Sequence, residues 1–313
     1  MRIKFWGTRG SIPTPITSET IRQKIKEALV SAAGLDLTNS DVIDRYLERL
    51  SPVIRGTIGG NTPCVEVQSG QQRLIIDAGS GLRELGLDLM SRGFAAEGGH
   101  ADFLMSHTHW DHVQGFPFFQ PAFLSQNSFT FYSPFTDLQA RFIKQQDPRW
   151  FPVPFDAMKA KIDFLDIVVG QPWQLGNFKI NTIELSHPGK SYGYRIEDES
   201  GCFVYASDAA YDQPELQYVE FFRDADLLVF DSHFSFSESL DKFDWGHSTA
   251  IFGAEFAYRA NIKRLALFHH SPVSKDETIS LAMQQAQAYL AHRTFSQQPC
   301  EVIIASDGME IVI

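Results

Sequence analysis

The chain has 313 residues, with 27 Lys and Arg against 38 Asp and Glu, for a formal net charge of −11. With no Lys/Arg cluster, that balance argues against a grip on long nucleic acid, whose phosphates supply most of such affinity, and suits a small anionic substrate better. A hydrophobic share of 43% with 26 Phe can build a large core, while three scattered cysteines, Cys64, Cys202 and Cys300, offer no pairing pattern and predict a reduced, cytoplasmic setting.

The chain enters Ile3-Lys4-Phe5-Trp6 directly, a strand over 2–6 rather than a charged-then-apolar leader, and no run of about 18 apolar residues offers a membrane span. The segment 16–56 reads as an inserted helical hairpin. Ile21, Ile25, Leu29 and Ala32 recur at helical spacing with Gly34 as the stop. A second helix starts near Asn39-Ser40-Asp41, carries Val42, Ile43, Tyr46, Leu47 and Leu50, and ends at Pro52. Its apolar face must dock somewhere: on the parent domain, as a lid over the metal-ligand candidates further along the chain, which its position directly after the loop Gly10-Ser11-Ile12-Pro13 allows, or in a homodimer contact. Strands follow at 64–68, 73–77, 101–105, 129–132, 178–185, 192–197, 202–206, 227–230, 264–268 and 301–304, with helices at 115–126 and 248–260. No linker or repeat divides the chain, so one domain over 1–313 is expected. Its class is α/β, two sheets face to face with helices outside.

Residues 107–112 read His-Thr-His-Trp-Asp-His, framed by the apolar runs Phe103-Leu104-Met105 and Val113-Gln114-Gly115-Phe116. A solvated His-rich loop would not be framed so. Imidazole nitrogens and a carboxylate are donors for zinc and similar divalent ions. His107 and His109, two apart at a strand end, point to one side; a turn would aim Asp111 and His112 at a second point nearby. One segment can thus hold half the ligands of two cations, the arrangement used for in-line displacement.

The remaining donors should lie at other strand ends. His187 follows the alternating run 178–185 and precedes Pro188-Gly189; Asp208 closes 202–207; His269 closes 264–268. Each alone reads as readily as a satisfied core histidine or a capping aspartate. Together with 107–112 they complete a set.

This set, His-x-His-x-Asp-His followed by His, Asp and His, resembles the metallo-β-lactamase fold hydrolases over nearly the whole chain. Gly59-Gly60-Asn61-Thr62, Asp77-Ala78-Gly79, His187-Pro188-Gly189, Gly193-Tyr194-Arg195 and Trp245-Gly246-His247-Ser248-Thr249 are similar to the phosphodiesterase branch. That branch includes tRNA 3′-processing endonucleases, the phosphoribosyl cyclic-phosphate diesterase and cyclic-nucleotide phosphodiesterases. The resemblance implies a four-layer αββα sandwich of two mixed sheets. It also implies two divalent ions, zinc or manganese: His107, His109 and His187 on one, Asp111, His112 and His269 on the other, and Asp208 bridging. Asp77 would brace the ligand loop, and His270 would sit behind His269.

The resemblance makes His247 the general acid for a leaving alkoxide; a carboxylate is needed to keep that imidazole protonated, and Asp231 in Phe230-Asp231-Ser232-His233 is the candidate, so that Asp111, Asp231 and His247 form the expected catalytic set. For His233 a packed loop position is favoured, and Arg195 is left between a phosphate contact and an exposed strand site. The expected function is a phosphodiesterase for a cyclic nucleotide or cyclic sugar phosphate, with a lactonase or thioesterase as the rival. A non-catalytic module would be expected to have lost ligands. His109, where flavin-linked di-iron relatives carry a carboxylate, argues for hydrolysis. Only 21 positions separate His187 from Asp208, which leaves no room for the protruding arm of the tRNA-processing enzymes.

Overall fold

The computed structural model describes residues 1–211, 213–293 and 300–313, apart from the Phe243 side chain. Strand β1 (Arg2–Gly7) leads into helices α1 (Ser18–Ser31), α2 (Ser40–Arg49) and α3 (Pro52–Arg55). The first sheet then grows through β2 (Cys64–Ser69), β3 (Gln72–Ile76), α4 (Gly81–Leu89), β4 (His100–Leu104), α5 (Trp110–Val113), β5 (Ser128–Ser133), α6 (Leu138–Gln145) and β6 (Lys161–Asp166). The second takes β7 (Trp173–Leu175), β8 (Phe178–Leu185), β9 (Ser191–Asp198), β10 (Gly201–Ala206), α7 (Leu216–Phe222), β11 (Leu227–Asp231), α8 (Phe236–Asp241), α9 (Ala250–Arg259), β12 (Arg264–Phe268), α10 (Asp276–Arg293) and β13 (Glu301–Ile304). Finally β14 (Glu310–Val312) returns to pair with β1.

Both sheets are mixed, in the orders β14-β1-β2-β3-β4-β5-β6 and β13-β12-β11-β10-β9-β8-β7. Each joins antiparallel pairs to parallel ones, the change falling at β3 in the first and β10 in the second. The period-2 alternation of a strand decides the layers. Leu227 and Val229 of β11 face Phe5, Val67 and Ile76 of the other sheet, whereas Leu228 and Phe230 face the outer helices with Ala254 and Phe256 of α9. On the opposite outside, Phe103, Phe129 and Phe131 pack with Leu82 and Leu85 of α4. Three apolar layers therefore hold a four-layer αββα sandwich together.

The stretch read as one helix over 115–126 is instead two 3₁₀ turns, Phe116–Phe118 and Gln120–Phe123, following the short α5. Pro117 and Pro121 explain the difference: each lacks an amide donor and clashes with the preceding helical turn. Pro52 does not end a helix but opens α3 at its first turn, where its missing N–H costs nothing. Gly34, at φ +88°, takes the left-handed conformation expected of a helix stop.

In the 16–56 segment the expected apolar stripe is only partly covered: Ala32 and Leu50 are buried, while the middle of α1 is open. Ile21, Ile25 and Leu29 are 44%, 54% and 62% exposed. The buried residue of α1 is Lys24, whose Nζ donates to the carbonyls of Val53 and Gly56 and to Asp276. The segment is fastened by this buried charge together with Ala32 and Leu50.

Candidate metal centre

Loops at the C-terminal ends of β3, β4, β8, β10, β11 and β12 converge at one edge of the sandwich, carrying Asp77, 107–112, His187, Asp208, His233 and His269. Such loops carry polar side chains that the strands themselves, buried on both faces, cannot. Four overlapping groups of donors form there: two bring His247 together with His233 and His269 or with His187 and Asp208, and two match the expected ligand sets. The ligating atoms of His107, His109 and His187 lie within 4.8 Å of one another, as do those of Asp111, His112, Asp208 and His269.

Asp208 is placed between them. Its Oδ2 faces His107 Nε2 at 3.7 Å and His187 Nε2 at 3.9 Å, and its Oδ1 faces His112 Nε2 at 3.2 Å and His269 Nε2 at 3.3 Å. Nitrogens also crowd one another: His187 Nε2 is 3.0 Å from His109 Nδ1, and His112 Nε2 is 3.4 Å from His269 Nε2. His107 Nε2 is buried without a hydrogen-bond partner among the described residues. Imidazole lone pairs converging at these separations, one of them with no protein donor, fit divalent cations better than a protein-only hydrogen-bond network.

A surrounding layer fixes the rings. Asp77 accepts from the Ser106 amide (2.8 Å), the Ser106 hydroxyl (2.7 Å), the Tyr205 hydroxyl (2.8 Å) and His112 Nδ1 (2.7 Å). With Nδ1 so engaged, His112 turns Nε2 inward. His187 Nδ1 donates to the Gly246 carbonyl at 2.7 Å, and Asp111 Oδ2 accepts from the Ser11 amide at 2.7 Å. Two glycines permit these approaches. A Cβ at Gly10 would lie 2.5 Å from the His269 ring, and one at Gly246, where φ is +80°, would lie 2.5 Å from His187 Nδ1.

Burial lowers the pKa of His107, His109 and His187, most strongly at the fully buried His107, which keeps their lone pairs available. His112 is also buried, but Asp208, Asp111 and Asp77 together raise it well above the ordinary value. Beside these groups His247 Nδ1 lies 2.8 Å from Asp231 Oδ2. Burial pulls the His247 pKa down, yet the Asp231 charge and hydrogen bond, helped by Asp208 and Asp111, carry it up to about 9. Thr249 caps α9, its side chain accepting from the Phe252 amide, which leaves His247 free of that role.

His233 was expected as a packed loop residue, and it is packed, but within this cluster. Its ring stacks on His247 at 4.3 Å between centroids, and its Nδ1 donates to the His269 carbonyl. Burial, then His269 and His247, push it down to about 3. His270 turns away, donating from Nε2 to the Ala305 carbonyl. Arg195 is engaged elsewhere: Glu197 and the carbonyls of Phe221 and Arg223 occupy its guanidinium. The support from Ser11, Ser106 and Tyr205 had no mark in the sequence beyond position, since a backbone amide or a lone hydroxyl carries no spacing signal.

The model of the β-lactamase superfamily domain matches residues 72–270. Ribonuclease Z of Archaeoglobus fulgidus is 26% identical over 274 residues, 69% of this chain and 84% of that protein. Ribonuclease Z of Oceanobacillus iheyensis is 22% identical over 243 residues, 58% of this chain and 75% of that protein, while several others of that name match over about a fifth to a third of their length. Among solved structures, the metallo-β-lactamase fold protein YhfI from Bacillus subtilis superposes with a TM-score of 0.66 at 18% identity, over 99% of this chain and 98% of that one. A diphosphatase from the PhnP family superposes with a TM-score of 0.62 at 17% identity, over 100% and 97%. At these identities the superpositions speak for the fold alone.

Proposed function

The chain belongs to the β-lactamase superfamily and is a metal-dependent hydrolase; from that premise we propose a phosphodiesterase for a small phosphodiester, a cyclic nucleotide or a cyclic sugar phosphate. Two divalent ions, zinc or manganese, would be held by His107, His109 and His187 and by Asp111, His112 and His269, with Asp208 between them. The observation that carries the reading is the His247–Asp231 pair, 2.8 Å apart beside both donor groups.

When bound, the cations supply Lewis acidity toward the phosphoryl oxygens and lower the pKa of a water. The chain's own residues do the rest. Asp77 and the Gly246 carbonyl hold His112 and His187 in the tautomers that present Nε2. Asp231 occupies His247 Nδ1, so the proton needed by the departing alkoxide is delivered from Nε2. An alkoxide leaving phosphorus gains most from such a donor, which favours a phosphodiester over a carboxylic ester. His233, neutral with Nδ1 committed to the His269 carbonyl, buttresses the acid without competing for its role.

The Archaeoglobus fulgidus relative favours a second reading, cleavage of RNA. Against it stand the net charge of −11 and the stretch from His187 to Asp208, which the β9–β10 hairpin fills almost entirely. Assay of the zinc- and manganese-loaded protein on 2′,3′- and 3′,5′-cyclic nucleotides, a cyclic ribose phosphate, an RNA oligonucleotide and a simple lactone tests the choice. Hydrolysis of a cyclic phosphate is expected. Turnover of the lactone alone, or of the RNA alone, would overturn the reading.

A further inference from the structure

On the flank of the 107–112 loop lies a cavity of about 560 Å³ lined by Thr108, Trp110, Arg141, Phe142, Lys144 and Trp150 among others. Its rim includes Thr108 and Trp110, the residues on either side of His109, while none of the proposed ligands lines it. Two features there are otherwise unexplained. Trp110 and Trp150 leave 61% and 72% of their surface exposed, a large apolar area for water to cover. Lys144, one turn beyond Arg141 on α6, has no side-chain partner among the described residues. Arg141, by contrast, is braced: it donates to Thr108 Oγ1 at 2.7 Å and to Asp137 at 2.8 Å, and lies 4.2 Å over the Phe135 ring.

Flat π faces beside a positive charge, next to a phosphodiester-cleaving centre, match a ligand that is planar and aromatic at one end and anionic at the other. An aliphatic chain would make no use of Lys144 or of the flat indole faces. We propose that this cavity binds the base of a nucleoside phosphodiester, which stacks on Trp110 and Trp150 while Lys144 attracts the phosphate. The inference rests on the phosphodiesterase reading and narrows it: of its two substrate classes, the cyclic nucleotide is selected over the base-free sugar phosphate.

The test compares kcat/KM of the metal-loaded full chain for a cyclic adenosine phosphate and for the methyl riboside cyclic phosphate of the same ring. It is run on the unmodified chain and on Trp150→Ala and Lys144→Ala. Quenching of tryptophan fluorescence by adenosine 5′-monophosphate gives a readout that needs no turnover. Stacking on an aromatic side chain predicts a preference of about ten-fold or more for the nucleotide, lost in Trp150→Ala through a higher KM. Lys144→Ala should raise KM for both substrates. Equal turnover of the two substrates, a preference that Trp150→Ala leaves in place, or a stronger preference for a long-chain alkyl phosphodiester would overturn the base site and leave the phosphodiesterase standing. Quenching that Trp150→Ala abolishes, in a protein that cleaves no phosphodiester, would support the cavity and overturn the activity.

Discussion

At Asp208 the backbone takes the left-handed conformation (φ 57°) just after β10, as Asp77 (62°) does after β3 and His269 (59°) after β12. Non-glycine residues seldom adopt it, at a cost on the order of 1–3 kcal/mol each, and they keep it where the surroundings over-determine them. Here the surroundings are the contacts that aim the side chains: four hydrogen bonds on Asp77, and two rings on each oxygen of Asp208. His247 gives this local geometry a measurable consequence. With its pKa raised to about 9, the imidazole is charged through neutrality and loses its proton as pH rises through that value. Activity should therefore fall on the alkaline side near pH 9. Asp231→Asn removes the largest opposing charge, so the limb should move down toward the ordinary histidine value of about 6.5. His247→Ala should lower kcat by about 10²- to 10⁴-fold. A limb that stays in place in Asp231→Asn would show that another group supplies the proton.

Among the elements, a buried carboxylate joins the inserted helices to the rest of the molecule. Asp276, at the start of α10, accepts from Arg9 at 3.2 Å and from Lys24 at 2.7 Å, and Arg9 also donates to the carbonyls of Gly59, Ser271 and Ser274. Arg9 is two residues from Ser11, whose amide holds Asp111. Asp276→Ala would strand two buried cations and should cost about 3–5 kcal/mol, read by chemical denaturation. A loss below about 1 kcal/mol would mean that water already satisfies these charges. None of this was legible in the sequence, where residues 24 and 276 are unremarkable Lys and Asp and the aliphatic stripe of α1 drew attention instead. The strands that end in donors were legible because each is a short apolar run stopped by a single His or Asp. Strands β6, β7 and β14 were not: Lys161-Ile162-Asp163 and Trp173-Gln174-Leu175 lie at or near sheet edges, where half the side chains meet water. Helix α10 escaped for a related reason, since its buried Ile279, Ala286 and Leu290 are too sparse to mark a face.

Over the whole molecule, two sheets of like construction, each passing from antiparallel to parallel pairing, bring their strand ends to one edge. The first sheet contributes Asp77 and the 107–112 loop; the second contributes His187, Asp208, His233, His247 and His269. Neither sheet alone holds a complete donor group around Asp208, so the pairing of the sheets through Phe5, Tyr205, Val229 and Phe268 assembles the centre. The charge of −11 is then a background against which cations, once bound, would become a local positive site for a small anion. The most direct measurement is the metal content of the chelator-stripped chain after titration with zinc, by mass spectrometry and calorimetry, beside Asp208→Ala. Two ions per chain are expected, with at least one lost when the carboxylate between the donor groups is removed. A stripped chain that binds no zinc, or an Asp208→Ala variant that still holds two ions with unaltered affinity, would contradict the account.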